Sequence, residues 1–448
     1  SLGNDHENTW TFARIAAARA MRSYANTEAA AQLERALTAA RRLPDVPARE
    51  RSATWAQLGD VRERAGLFDT ALDAYRRSSK LIDDDPVAEA ELLLKRAWVR
   101  ERAGTYSIAL REATRARRVA EAASDAADTY RVAANASAFQ ALVRLRQGKL
   151  KDALARAEIA LAEADRAGEK VATARAYRVI AWTHMMTDDP RALDVCLQAL
   201  RLYEELGDLA GQNYMNNNLG VLAYFDGRWD DALEYYEQSR DGAERVGNIV
   251  DAGFTEANIG ELLVNQRRFE EAEQRLSDAA RVLRSTGELS MATFAELQIA
   301  RIFKELGEGD RAATMLREIE KESEVNGFTA NVLEARLHLA DCSIRAGDHT
   351  GALQQLESAM SDAGEEAAMF GSTELRLRAL ALAGSGRSEE AVSILERGVD
   401  TARDRGQPYE EALMLEAVAE TIEPDHPEIA RESRVEAARI MRTLGVRV

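Results

Sequence analysis

The chain is poor in the residues that carry redox, metal and nucleotide chemistry. Its 448 residues include two cysteines, five histidines and seven prolines, and aromatics make up 6%. Cys196 and Cys342 build no disulfide framework; buried, reduced thiols are expected, which suits a cytoplasmic location. His6, His184, His338, His349 and His426 show no His-Glu-x-x-His spacing, and no Cys-x-x-Cys lies near them, so no metal site is expected. No Gly-x-x-x-x-Gly-Lys-Ser/Thr string occurs. The nearest look-alike, Gly384-Ser385-Gly386-Arg387-Ser388, lacks the first glycine and the lysine and reads as a turn. Carboxylate runs such as Asp83-Asp84-Asp85 read as solvated faces and caps. Together these absences argue against an enzyme and against a bound cofactor. No segment approaches the eighteen or more apolar residues that a membrane span needs. Residues 1–10 are polar and acidic and do not read as a secretory signal. A net charge of −17 argues against nucleic acid as the main partner.

What the chain does have is a period. Ala29, Ala71, Ala109, Ala153, Ala192, Ala232, Ala272, Ala312, Ala352, Ala391 and Ala430 recur at intervals of 38 to 44 residues, most of them 39 or 40. Twelve residues before most of these alanines stands a second small residue: Ala17, Gly59, Ala97, Ala141, Gly220, Gly260, Ala300, Ala340 and Ala379. Ala181 stands eleven before, and the last unit has Val418 there. Between the two marks lies a turn, usually at glycine: Gly66, Gly104, Gly148, Gly227, Gly307, Gly347 and Gly386. Glycine suits a helix end that must adopt positive φ. Each unit therefore reads as helix, turn, helix, with small residues where the two backbones come closest. Hydrophobic residues at 46%, charged residues at 30% and few prolines favour an all-α fold.

These residues resemble the tetratricopeptide repeat (TPR) family. Trp55, Leu58, Gly59, Gly66, Phe68, Ala71 and Tyr75 follow its pattern of Trp, Leu-Gly, turn, Ala and aromatic. So do Asn217-Asn218-Leu219-Gly220, Gly227-Arg228-Trp229 and Ala232-Leu233-Glu234-Tyr235-Tyr236. The usual period is about 34, so units near 40 add roughly 9 Å of helix at about 1.5 Å per residue. That resembles the longer-helix subclass found in bacterial peptide-sensing regulators. The resemblance implies a right-handed α-α superhelix of about eleven hairpins over residues 1–448. Residues 1–45 would form an N-terminal capping or junction hairpin, 49–405 the regular repeats and 408–448 a C-terminal capping hairpin. More loosely, Trp10–Ala30, Leu43–Pro47 and Ala437–Val446 are similar to the TPR region of large actinobacterial proteins that also carry cyclase or ATPase modules. A start at Ser1 rather than methionine is in keeping with a piece of such a chain. The 52 arginines against seven lysines point to a GC-rich bacterial genome.

In each first helix, positions six and two before the small residue, and one and five after it, fall on one stripe. The resemblance implies that this stripe faces a concave groove. It carries Arg175 and Trp182, with Arg178 adjacent; Tyr214, Asn218, Val221 and Phe225, with Asn217 adjacent; and Phe254, Asn258, Glu261 and Asn265. It continues through Phe294, Gln298, Arg301 and Glu305 to Glu334, His338, Asp341 and Arg345. Amides offer both a donor and an acceptor to the main chain of an extended peptide, and aromatics add apolar area with little entropy loss. The candidate groove residues are therefore Arg175, Arg178, Trp182, Tyr214, Asn217, Asn218, Phe254, Asn258, Phe294, Gln298, Arg301 and His338. On the alternative reading Tyr214, Phe254 and Phe294 pack against the preceding second helix, Asn218 caps or bridges helices, and His338 is structural.

The expected function is a non-catalytic, cytoplasmic scaffold or sensor binding a protein or peptide, as the regulatory region of a larger bacterial signalling protein. Its partners would be a protein or peptide ligand or other domains of the parent chain, not nucleic acid or membrane. An oligomerisation or autoinhibitory arm is the alternative, and a small-molecule sensor in a closed ring of repeats a further one.

Overall fold

The computed structural model describes residues 2–82, 84–122, 126–364, 367 and 369–447. Ser1 and Asp83 lie outside them. The described residues form 22 helices and no strand. The fold is an all-α, TPR-like solenoid. Its contacts divide it into two compact units, Ser1–Met215 and Asn216–Val448.

The first unit holds the hairpins α1 (Leu2–Arg22) with α2 (Asn26–Ala40), α3 (Ala48–Arg64) with α4 (Phe68–Ser79), and α5 (Pro86–Arg102) with α6 (Tyr106–Ala120). It continues with α7 (Ala126–Arg146) and α8 (Leu150–Ala167), then α9 (Lys170–Met186) and α10 (Ala192–Leu206). Helix α11 (Leu209–Phe225) runs across the division. The second unit goes on with α12 (Trp229–Arg245), α13 (Ile249–Asn265), α14 (Phe269–Thr286), α15 (Leu289–Glu305) and α16 (Gly309–Asn326). Then follow α17 (Thr329–Arg345), α18 (His349–Asp362), α19 (Gly371–Gly384), α20 (Ser388–Asp404), α21 (Pro408–Ile422) and α22 (Pro427–Thr443).

The small residues do what the period predicts. All eleven marker alanines are buried, none more than 4% exposed. The glycines twelve residues before them face a side chain of the following helix. A Cβ at Gly59 would stand 2.4 Å from the Tyr75 ring, one at Gly220 2.5 Å from Tyr236, and one at Gly260 2.4 Å from Leu276. Only hydrogen leaves room for these large side chains, whose burial drives the packing.

All seven predicted turn glycines have positive φ, from 70° to 85°. A second set, including Gly168, Gly207, Gly247, Gly287, Gly327 and Gly406, ends the second helices in the same conformation. In the α13–α14 turn Arg267 takes the place of glycine and adopts φ 58°.

The second unit closes on itself. The last hairpin returns to the first, and one apolar cluster joins Ala223, Trp229 and Tyr236 to Ala412, Ala437, Met441 and Leu444. The Trp229 and Tyr409 rings stand 5.0 Å apart. Beyond α22, Arg447 N donates to the Gln266 carbonyl at 3.0 Å. The Gln266 amide in turn donates to the Leu444 carbonyl at 3.3 Å.

Candidate functional site

Closure of the second unit brings together polar side chains from all six of its first helices. α11 gives Tyr224, and α13 gives Glu261 and Asn265. α15 gives Gln298, Arg301 and Lys304, and α17 gives Glu334, His338 and Asp341. Arg376 of α19 and Tyr409 and Glu410 of α21 lie within electrostatic reach of Arg301 or of its neighbours.

A chain of hydrogen bonds runs through them. The Asn265 amide donates to the Tyr224 hydroxyl at 2.7 Å, and Tyr224 lies 3.3 Å from a Glu261 oxygen. Arg301 donates to Asn265 Oδ1 at 2.7 Å and to Gln298 Oε1 at 2.5 Å. Gln298 donates to Glu334 at 3.0 Å. Lys304 pairs with Asp341, both nearly buried, and Asp341 also meets Arg345 at 3.2 Å. Lys304 Nζ stands 3.5 Å from His338 Nδ1.

Burial governs the protonation of these groups. It pushes Glu334 up to about 7, helped by the Glu261 charge and opposed by Arg301 and the Gln298 bond. Burial raises Glu261 too, against Arg301 and the Tyr224 hydroxyl. His338 is held well below the usual imidazole value by burial and by the cations Lys304 and Arg301, so it is neutral. At Asp341 burial works against ionisation, yet Lys304, Arg376 and Arg345 outweigh it and keep the carboxylate below its ordinary range. The result is a mixed-charge interior in which Arg301 faces Glu261 and Glu334.

Some polar atoms in the second unit have no protein partner. Asn218 is 0% exposed and neither its oxygen nor its nitrogen is hydrogen-bonded. Arg376 Nε and Glu410 Oε2 are buried without a partner. An unmet buried polar group costs about 1–3 kcal/mol; a bound main chain or water would satisfy Arg376 and Glu410, whereas Asn218 is closed off by neighbouring helices.

The candidate groove residues fall in both units. In the first, the Arg175 guanidinium lies 4.9 Å over the Trp98 ring and donates to Asn135 Oδ1 at 3.0 Å. Arg178 lies 3.7 Å over the Tyr214 ring. Trp182 is half-buried.

In the second unit the stripe is less open than expected. Asn218 and Gln298 are fully buried, because the position two before the small residue is covered by neighbouring helices. Asn258 donates to Asn217 Oδ1 at 3.0 Å, so this amide pair braces α11 against α13. Phe254 and Phe294 are half-buried against the apolar cluster. Arg301 and His338 belong to the interior network. The stripe had included Glu261, Asn265, Glu305, Glu334, Asp341 and Arg345. It left out Tyr224, Lys304, Arg376, Tyr409 and Glu410, which enter from flanking helical positions or from the hairpin that closes the unit.

Residues 212–285 match the tetratricopeptide repeat family. Among curated proteins none matches the chain. A solved Signal Transduction ATPase with Numerous Domains (STAND) protein from Pyrococcus horikoshii, which has a tetratricopeptide repeat sensor, is similar in fold. It has a TM-score of 0.51 and 15% identity over 74% of this chain, which spans 49% of that structure's length. A Rap protein complexed with competence and sporulation factor aligns with TM-score 0.44 and 13% identity, over 88% of this chain and 99% of that one. BtubC from P. vanneervenii aligns with TM-score 0.38 and 19% identity, over 49% and 91%. Residues 212–285 thus carry a tetratricopeptide repeat, and the same small-residue hairpin recurs through the rest of the described residues.

Proposed function

We propose that the chain is a non-catalytic sensor or scaffold that takes up a peptide or protein segment on the inward side of its first helices, as part of a larger signalling protein. The observation that carries this reading is the interior of the second unit. Six helices converge there on Arg301, and Arg376 and Glu410 keep polar atoms that no protein group satisfies. An extended main chain supplies donors and acceptors for such atoms. Solenoids can answer occupancy with small rotations that add from repeat to repeat. The fold shared with the sensor repeats of the Pyrococcus protein is compatible with this role.

The test is selection from a random-peptide display library on the whole chain, followed by affinity measurements on synthetic peptides. Arg301→Gln and Arg376→Gln should each weaken selected peptides at least tenfold. Peptides whose affinity ignores all of these changes would remove the interior from consideration.

A second reading has its own observation. The C-terminal hairpin already covers the interior of the second unit, as an autoinhibitory element would. In that case removal of residues 408–448 would raise peptide affinity instead of abolishing it.

A further inference from the structure

The first unit carries a cavity of about 500 Å³ where the ends of α2 and α4 meet the start of α3. Its walls hold Arg41, Arg51, Arg76, Arg77 and Lys80, the Trp55 ring and one carboxylate, Asp73. Asp73 is shared by two of the cations, Arg77 at 2.8 Å and Arg76 at 3.6 Å. Arg77 also lies 5.0 Å over Trp55. Among the described residues, five positive charges against one is a marked excess in a chain of net charge −17. The excess is regional as well: residues 1–80 hold thirteen basic and ten acidic side chains.

One ordinary explanation covers part of this. Cations near helix C-termini offset the unpaired carbonyls there, and Arg41, Arg76, Arg77 and Lys80 lie at the ends of α2 and α4. It fails for Arg51, the fourth residue of α3. The start of a helix carries partial positive charge and disfavours a cation. Arg51 Nε is moreover buried with no hydrogen-bond partner, a further cost. An anion seated in the cavity offsets both. The volume falls within the range of about 300–1,000 Å³ usual for small-ligand sites.

We propose that this cavity binds a small molecule bearing several phosphates, with Arg51 and Lys80 meeting the phosphate chain. Phosphate satisfies an arginine fork bidentately and a lysine as a point charge. A singly charged ligand would leave most of the excess charge uncompensated.

Calorimetric titration of the whole chain with inorganic tripolyphosphate, and separately with ATP, tests this. Saturable binding of one anion per chain is expected, weakening as sodium chloride rises from about 50 to 300 mM. Arg51→Gln with Lys80→Gln should weaken both ligands at least tenfold, whereas Arg51→Lys, which keeps the charge, should retain most of the binding. Unchanged circular dichroism and melting temperature establish that the variants are folded. Binding of many anions per chain, no saturation at millimolar ligand, or affinities unmoved by the double change would overturn the proposal. So would an Asp/Glu-rich peptide that displaces tripolyphosphate and binds more tightly, since the cavity would then be a seat for an acidic protein segment.

Discussion

Glu334 gives the interior of the second unit a measurable signature. Its carboxyl is moved from 4.5 to about 7, first by burial and then by the neighbouring Glu261 charge. A folded-state value above the unfolded one means that stability is fully present below the unfolded value and is lost as pH rises through the folded one. The window therefore runs from pH 4.5 to about 7. At about 1.36 kcal/mol per unit, the ceiling is roughly 3 kcal/mol. The side chain is 13% exposed, so solvent screening removes little of it. Glu334→Gln deletes the titration but keeps an acceptor for Gln298. Trp229, the one tryptophan of the second unit, reports unfolding in urea. Across a pH series the variant should match the parent near pH 4.5 and exceed it by up to about 3 kcal/mol at pH 8. A stability difference that does not change with pH would refute the reasoning. So would a variant weaker than the parent at pH 8.

Three other outcomes follow from the packing. Asp341→Asn strands the Lys304 ammonium inside the array and should cost about 3–5 kcal/mol, while Lys304→Met with Asp341→Leu should recover most of that loss in the same urea assay. Ala232→Leu overfills a fully buried helix contact and should cost about 1–3 kcal/mol in thermal or urea unfolding. Arg267→Gly relieves a left-handed backbone conformation and should raise the urea midpoint of the second unit by the equivalent of about 1 kcal/mol.

The parts of the fold that repeat were legible in the sequence, because each hairpin meets the next through the same contacts. Ala71, Ala232 and Ala312 had to be small, and Gly227 and Gly347 had to turn left-handed, whatever the partner. The candidate site was legible only as a phase. Arg301 and Glu261 share a helical stripe and do meet in the interior. Lys304, Arg376 and Tyr224 enter from positions beside that stripe, since the inward wedge of a closely packed helix is wider than one row. Tyr409 was beyond reach for another reason. Its neighbour Trp229 lies five hairpins earlier, and a contact made once leaves no period. Arg267 stands where other units have the turn glycine, and the return of the C-terminal segment to Gln266 gives that turn a structural role.

That returning segment sets the order in which the second unit can be completed. Most side-chain hydrogen bonds between helices of the second unit join residues 8 to 41 apart, but Gln266 and Leu444 are separated by 178. Loop-closure entropy grows with the logarithm of length, so joining these ends in an unformed chain costs roughly 2 kcal/mol more than a local hairpin contact. During synthesis the first five hairpins of the unit can stack as they emerge, whereas Trp229 stays uncapped until α21 and α22 arrive. The final hairpin is thus a keystone: a nascent chain truncated before Pro408 would carry an open apolar edge at Trp229, the kind of surface that recruits chaperones.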